Sequence, residues 1–260
     1  MVEFLQGYNV ILVGFIASVA AGCATGVGAI PIFFTKDISH KFLDAMLGFA
    51  AGVMLAATSF SLIVPAIEYG GGGVKGATIT LSGILLGGIF LDLIDKYAPH
   101  EHLLEGRHEG NDSSLKKVWL FIIAITLHNF PEGLAVGVGF GNGDIANGIS
   151  LAIGIGLQNV PEGLAVALAL IREKYKTSTA FFIALLTGLV EPIGGIIGVG
   201  LVQLAQSILP LGLAFAAGAM LFVISDEIIP ETHKHNYERV ATYGVLIGFV
   251  IMMFLDVTLG

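Results

Sequence analysis

The sequence has one cysteine, Cys23, in 260 residues. That excludes a disulfide framework and a zinc site built on thiolates within one chain. Charge is scarce too: 12% of residues are Asp, Glu, Lys or Arg, where soluble domains carry about 25%. The formal net charge is −8 and there is no basic stripe, so nucleic acid is not an expected partner. No ATP-binding motif occurs, so direct ATP drive is not expected. The apolar runs do not alternate with polar residues, which argues against a membrane barrel.

What is present in abundance is continuous apolar sequence. The chain is 55% hydrophobic, with a mean hydropathy of +0.87. Stretches of about 20 apolar residues recur from end to end, each long enough to cross a bilayer. The expected fold class is an all-α polytopic membrane protein with eight transmembrane helices in a single domain over residues 1–260. The spans are expected at about 8–33, 43–67, 77–95, 118–140, 149–171, 178–203, 211–230 and 241–259. The longest loop, 96–117, is polar and holds His100, His102 and His108. At the N-terminus Glu3 stands in place of a basic region and the apolar run is long, so a first span is expected rather than a signal peptide. Ala21-Gly22-Cys23 has a faint likeness to a lipoprotein cleavage site. The apolar run continues past it, and a small-residue helix surface is the simpler reading.

Basic residues set the expected orientation. Eleven of the twelve Lys and Arg fall in the loops joining spans 1–2, 3–4, 5–6 and 7–8; the other loops hold only Lys75. By the positive-inside rule those four loops are cytoplasmic and both termini lie outside. The expected location is the cell membrane, with the lipid bilayer as solvent. Glycines recur four residues apart, as in Gly22 and Gly26, Gly48 and Gly52, Gly83 and Gly87, or Gly244 and Gly248. Such spacing lets helix backbones pack closely where lipid offers no hydrophobic drive for association.

One segment occurs twice. Residues 128–138 read His-Asn-Phe-Pro-Glu-Gly-Leu-Ala-Val-Gly-Val, and residues 158–168 read Gln-Asn-Val-Pro-Glu-Gly-Leu-Ala-Val-Ala-Leu. The likeness extends further. Phe49-Ala50-Ala51-Gly52-Val53-Met54-Leu55 in span 2 matches Phe215-Ala216-Ala217-Gly218-Ala219-Met220-Leu221 in span 7, and Phe90-Leu91-Asp92 matches Phe254-Leu255-Asp256. Matched spans run in opposite directions, so spans 1–3 answer 6–8 and span 4 answers 5. Inverted repeats of this kind place a substrate site near the midplane.

The repeated motif carries the chemistry. His128 and Glu132 share a helix face, as do Asn129 and Glu132, and Gln158, Asn159 and Glu162 repeat the arrangement. Pro131 and Pro161 free the carbonyls of Leu127 and Leu157, and are expected to break or bend their helices. Span 6 adds Glu191 beside Pro192. An ionised group at the bilayer centre costs about 3 kcal/mol on the lenient scale, so three acids cost on the order of 9. No Lys or Arg lies in these helix cores to neutralise them. Either the acids are protonated or a cation sits among them. The imidazole, carboxylates and amide oxygens form a borderline N/O set suited to zinc, cadmium, iron(II) or manganese rather than copper(I). Met54 could add a soft ligand, and two bridging carboxylates could hold two ions. Taken singly, each residue has a plainer reading: a proton carrier, a hydrogen-bonded core histidine, a packed methionine. Together they point to metal.

The double Asn-x-Pro-Glu-Gly motif, led by His128 in its first copy, resembles the ZIP (Zrt-, Irt-like protein) family of divalent metal transporters in its bacterial branch. The resemblance covers the whole chain. It implies uptake of divalent metal into the cytoplasm, a 3+2+3 helix arrangement and an elevator-like movement between two bundles. It also implies that His128, Glu132, Gln158, Glu162 and Met54 line a primary metal position. Asn129, Asn159, Glu162 and Glu191 would line a second, with Glu132 and Glu162 bridging. Many members have His where Gln158 stands, and some have an acid at Asn159; this chain has neutral amides at both. Ser61, Glu68 and Asp256 are expected along the entrance. Asp95, His100, His102, Asp226 and Glu227 are expected along the exit. The metal is cargo, and no cofactor or enzymatic activity is expected. A homodimer is compatible with this reading. The rival readings are a proton- or sodium-coupled carrier of another solute and, further off, an intramembrane metalloenzyme or a metal-sensing receptor. No His-Glu-x-x-His pair supports the enzyme, and the loops are short for a receptor.

Overall fold

The computed structural model describes residues 5, 7–35, 37–97, 100–101, 108–109, 117–233 and 236–259. Within them the chain is helical almost throughout. We label the long helical segments α1 (Val10–Phe33), α2 (His40–Tyr69), α3 (Gly73–Tyr97), α4 (Lys117–Gly141), α5 (Ile145–Arg172), α6 (Thr177–Leu204), α7 (Gln206–Thr232) and α8 (Glu238–Leu259). Seven are long and apolar enough to cross a membrane, and α4 matches them in length at 25 residues. In the 96–117 loop a two-residue ladder pairs His100 with Glu109 and Glu101 with His108.

Local chemistry sets several helix starts. Asn9 Oδ1 accepts from Ile11 N at 2.9 Å, Ser39 Oγ accepts from Phe42 N at 3.2 Å, and Asp144 Oδ1 accepts from Asn147 N at 3.1 Å. Each side-chain oxygen satisfies an N–H that the first turn leaves without a partner.

The helices pack in four close pairs: α2 on α8, α3 on α7, α1 on α5, and α4 on the second half of α6. Glycine permits the first of these contacts. A Cβ at Gly48 or Gly52 would collide with the Ala241 or Val245 carbonyl of α8, and one at Gly244 or Gly248 with the Ala45 or Phe49 carbonyl of α2. The outward faces are apolar and exposed, as at Leu81, Leu85 and Ile89 on α3 and Ile247, Phe254 and Val257 on α8. Helices, which satisfy their own backbone groups, are suited to lipid on such faces. This is a multi-pass membrane protein.

Among the described residues, three backbone irregularities interrupt the helices. Two are π-turns, Ala57–Ile63 in α2 and Ile224–Ile228 in α7. The third is a break in α6 between Thr177–Gly188 and Glu191–Leu204. Pro131 and Pro161, expected to break or bend their helices, lie within unbroken ones. Each removes one hydrogen bond, while flanking turns and packed neighbours keep the helix going. The break falls instead at Leu189 and Val190, ahead of Pro192.

Candidate metal site

The two motif copies meet in the interior. His128, Asn129, Glu132, Gln158, Asn159, Glu162 and Glu191 are all buried. Two glycines bring the surrounding backbones in. A Cβ on Gly133 would collide with the Glu191 backbone, and one on Gly163 with the Thr25 carbonyl of α1. The glycine after each motif glutamate thus lets a further helix approach the site. Glu191 opens the second half of α6, where free N–H groups favour a carboxylate.

Two of the acids are matched with amides. Gln158 Nε2 donates to Glu132 Oε1 at 2.6 Å, joining α5 to α4. Asn159 Nδ2 donates to Glu191 Oε1 at 2.6 Å and to the Ala21 carbonyl at 2.8 Å, joining α5 to α6 and α1. His128 Nε2 lies 2.8 Å from Glu227 Oε1 of α7. Each amide pair therefore uses one carboxylate oxygen and leaves the other. Glu132 Oε2, Gln158 Oε1, Asn159 Oδ1, Glu162 Oε1, Glu191 Oε2 and both polar atoms of Asn129 are buried without a hydrogen-bond partner. Buried polar atoms are normally paired. A cluster of unpaired oxygens with an imidazole, and no Lys or Arg in the helix cores, is chemically suited to a cation. Among the described residues no three His, Cys, Asp or Glu side chains gather closely enough to hold an ion by themselves. An ion held here would draw on the amide oxygens of Asn129, Gln158 and Asn159 as well as on the acids and His128.

The remaining expected residues are spread along the molecule. Met54 is fully buried in the apolar core. Ser61 Oγ donates to Asp256 Oδ1, tying α2 to α8, and Glu68 is exposed near the end of α2. Asp226 is exposed, whereas its neighbour Glu227 is buried and turned to His128. Asp95 lies on α3 and His100 in the short ladder, but their side chains are outside the described residues, and His102 lies wholly outside them.

Several features of the site are not apparent from the motif alone. Glu227 reaches His128 and Ala21 lends a carbonyl to Asn159; away from the site, at the end of α2, the Tyr69 hydroxyl donates to Asp144 Oδ2 at 3.0 Å. The prolines that follow the π-turns, Pro65 and Pro230, were the available sequence signal for Glu227. The Ala21 contact has no side-chain signature.

Comparison with known proteins shows the family. A family model described as ZIP Zinc transporter matches residues 100–256. The chain is 48% identical over 252 residues to zinc transporter GufA of Myxococcus xanthus, covering 95% of this chain and 99% of that protein. It is 43% identical over 267 residues to zinc transporter ZIPB of Bordetella bronchiseptica, covering 100% of this chain and 86% of that one. It is 34% identical over 341 residues to zinc transporter ZIP11 of Homo sapiens, covering 98% and 100%. With two buried copies of the Asn-x-Pro-Glu-Gly motif at its centre, this chain belongs to the bacterial branch of the ZIP family, whose members are transporters and not enzymes.

Proposed function

We propose that this protein carries divalent transition-metal ions across the cell membrane into the cytoplasm. Zinc is the first candidate, with cadmium, iron(II) and manganese as further cargo. The observation that carries the proposal is the set of buried, unpartnered oxygens on Asn129, Glu132, Gln158, Asn159, Glu162 and Glu191 beside His128. Family membership and the zinc-transporter names of the relatives support it.

In this reading His128, Glu132, Gln158, Glu162 and Met54 line the primary position. Asn129, Asn159, Glu162 and Glu191 line a second, and Glu132 and Glu162 bridge the two. Ser61, Glu68 and Asp256 gather ions at the outer mouth, while Asp95, His100, His102, Asp226 and Glu227 lead them inward. Both termini lie outside, which the crowding of Lys and Arg into alternate loops supports. A potential negative inside then favours entry of a divalent ion by about 4–5 kcal/mol per 100 mV, at about 2.3 for each charge.

Alternating access through an inverted repeat in a 3+2+3 arrangement completes the proposal. The packing supports it: exchanging 1 with 6, 2 with 7, 3 with 8 and 4 with 5 turns the α2–α8 pair into α7–α3, and α1–α5 into α6–α4. The discontinuous α6, with Glu191 at the break, resembles the broken helices that bind ions in other secondary transporters.

Reconstitution in liposomes tests the function. Zinc, cadmium, iron(II) and manganese entry should exceed that into protein-free liposomes, and Glu132→Ala and His128→Ala should abolish or strongly reduce it. Wild-type flux no greater than the protein-free control would rule the proposal out.

A further inference from the structure

Ser150 of α5 is fully buried, and its hydroxyl has no hydrogen-bond partner. A serine in a helix can give its proton to the carbonyl four residues back. Ser18 does so, donating to the Gly14 carbonyl at 2.9 Å, and Ser59 donates to the Leu55 carbonyl at 2.8 Å. Ser150 does not. A buried hydroxyl without a partner costs free energy and calls for an explanation.

Two contacts set how α5 lies against α2 and α8. At the start of α5, Asp144 accepts from the Tyr69 hydroxyl at the end of α2. Further along, a Cβ on Gly154 would meet Met252 Sδ of α8 at 2.5 Å and Val53 Cγ1 of α2 at 3.7 Å. The helices α2 and α5 therefore run in opposite directions. The helix α8 runs with α2, since Gly48 lies on Ala241 and Gly52 on Val245.

This register gives Ser150 its neighbours. One turn from Gly154 toward the start of α5, on the same face, stands Ser150. One turn from Met252 toward the end of α8 stands Asp256. The two turns lie at one level on opposed faces. The far side of α5 belongs to α4: a Cβ on Gly148, about 200° around the helix from Ser150, would strike the Phe140 ring. Asp256 accepts from Ser61 Oγ, and Ser61 is fully buried in the π-turn Ala57–Ile63, on which α5 packs directly.

A hydroxyl of α5 thus faces a hydroxyl of α2 and a carboxylate of α8. Such oxygens suit a divalent cation. Two of the three are neutral, so they hold an ion weakly, as a stop on a conduction path must. Gln158 follows Ser150 by about two turns, with Gly154 and the Met252 thioether between them.

We infer that Ser150 is an ion ligand on the entry side of the metal position: with Ser61 and Asp256 it forms a way-station for the incoming divalent cation, from which the ion passes along α5 to Gln158. The inference rests on the proposed transport reading. It gives the entrance a ligand from the helix that carries the second copy of the motif.

Zinc entry into liposomes tests this. Ser150→Ala should raise the zinc KM about 2–10-fold, the worth of one neutral oxygen contact. It should not lower the melting temperature, because the deleted hydroxyl is unpartnered. In an Asp256→Asn background the same substitution should change KM little, since both residues hold one ion. An unchanged KM in Ser150→Ala, or an equal rise in the two backgrounds, would overturn the inference. So would a lower melting temperature, the mark of a structural hydroxyl. A second measurement needs no flux. Ser150→Cys with Cys23→Ser has a single thiol. Cadmium added in detergent should produce cadmium–thiolate ultraviolet absorption, and Asp256→Asn should raise the cadmium concentration required. No absorption, or no effect of Asp256→Asn, would overturn the inference even where zinc enters liposomes. Absorption that depends on Asp256, with liposomes that carry no metal, would remove the transport reading and leave the cation site standing.

Discussion

Gly22 of α1 and Gly188 of α6 face each other reciprocally: a Cβ on either would strike the carbonyl oxygen of the other. The two are equivalent under the proposed repeat, since the shift that relates Phe49 to Phe215 also relates Gly22 to Gly188. A contact between equivalent residues is what a two-fold axis requires. This crossing also lies beside the site: Asn159 bonds the Ala21 carbonyl, and the break in α6 follows Gly188 directly.

Gly22→Val should therefore destabilise the protein severely. Overpacking commonly costs about 1–3 kcal/mol, and here the obstacle is backbone that cannot rotate aside. Thermal unfolding in detergent checks this, with Gly200→Ala as the control, since a Cβ there meets nothing within 4 Å. Equal stability of the two variants would remove the crossing from the account.

Asn159→Ala removes the donor shared by Glu191 and Ala21. The expected loss is about 1–3 kcal/mol, because a buried carboxylate oxygen is left without its partner. Zinc should restore part of that stability if Glu191 lies at a cation position. Melting curves with and without zinc read both effects, and an unchanged melting temperature without zinc would remove the Asn159–Glu191 pairing from the account.

Gln158→His replaces an amide by an imidazole in the pair with Glu132. Imidazole suits zinc better than manganese. Competitive uptake into liposomes should shift toward zinc, whereas Gln158→Ala should weaken uptake of both metals. An unchanged zinc-to-manganese ratio in the histidine variant would mean that Gln158 does not touch the ion.

Tyr69→Phe deletes the bond to Asp144, between the end of α2 and the cap of α5. A partly exposed hydrogen bond is worth about 0.5–1.5 kcal/mol, so the melting temperature should move little. If α5 moves against α2 during transport, this bond must open in each cycle, and zinc flux should rise. Unchanged flux would mean that the bond does not limit the cycle.

Orientation can be read with thiol reagents in a Cys23→Ser background. Lys75→Cys should react with an impermeant reagent added outside intact cells, and Lys174→Cys should react only after the membrane is opened. The reverse pattern would invert the topology and, with it, the proposed direction of transport.

The eight apolar runs, the repeated motif and the acids without a basic partner were all legible in the amino-acid sequence. Lipid punishes unsatisfied backbone and unpaired charge so strongly that a long apolar run has little choice but helix, and a buried acid stands out. Burial of His128, Glu132, Glu162 and Glu191 followed from the same constraint. Tertiary structure alone decided which partner each of them found. The local pattern places bends or breaks at Pro131 and Pro161; both helices continue without a break, and the interruption lies in α6 ahead of Pro192. A backbone's response to one missing N–H depends on what packs against it, which short-range sequence does not record. Glu227 reads as an exit-path acid in the sequence, and the structure adds that it sits in the π-turn before Pro230 with its carboxylate beside His128. That contact joins residues 99 positions apart, and only the packing of α4 against α7 brings them together.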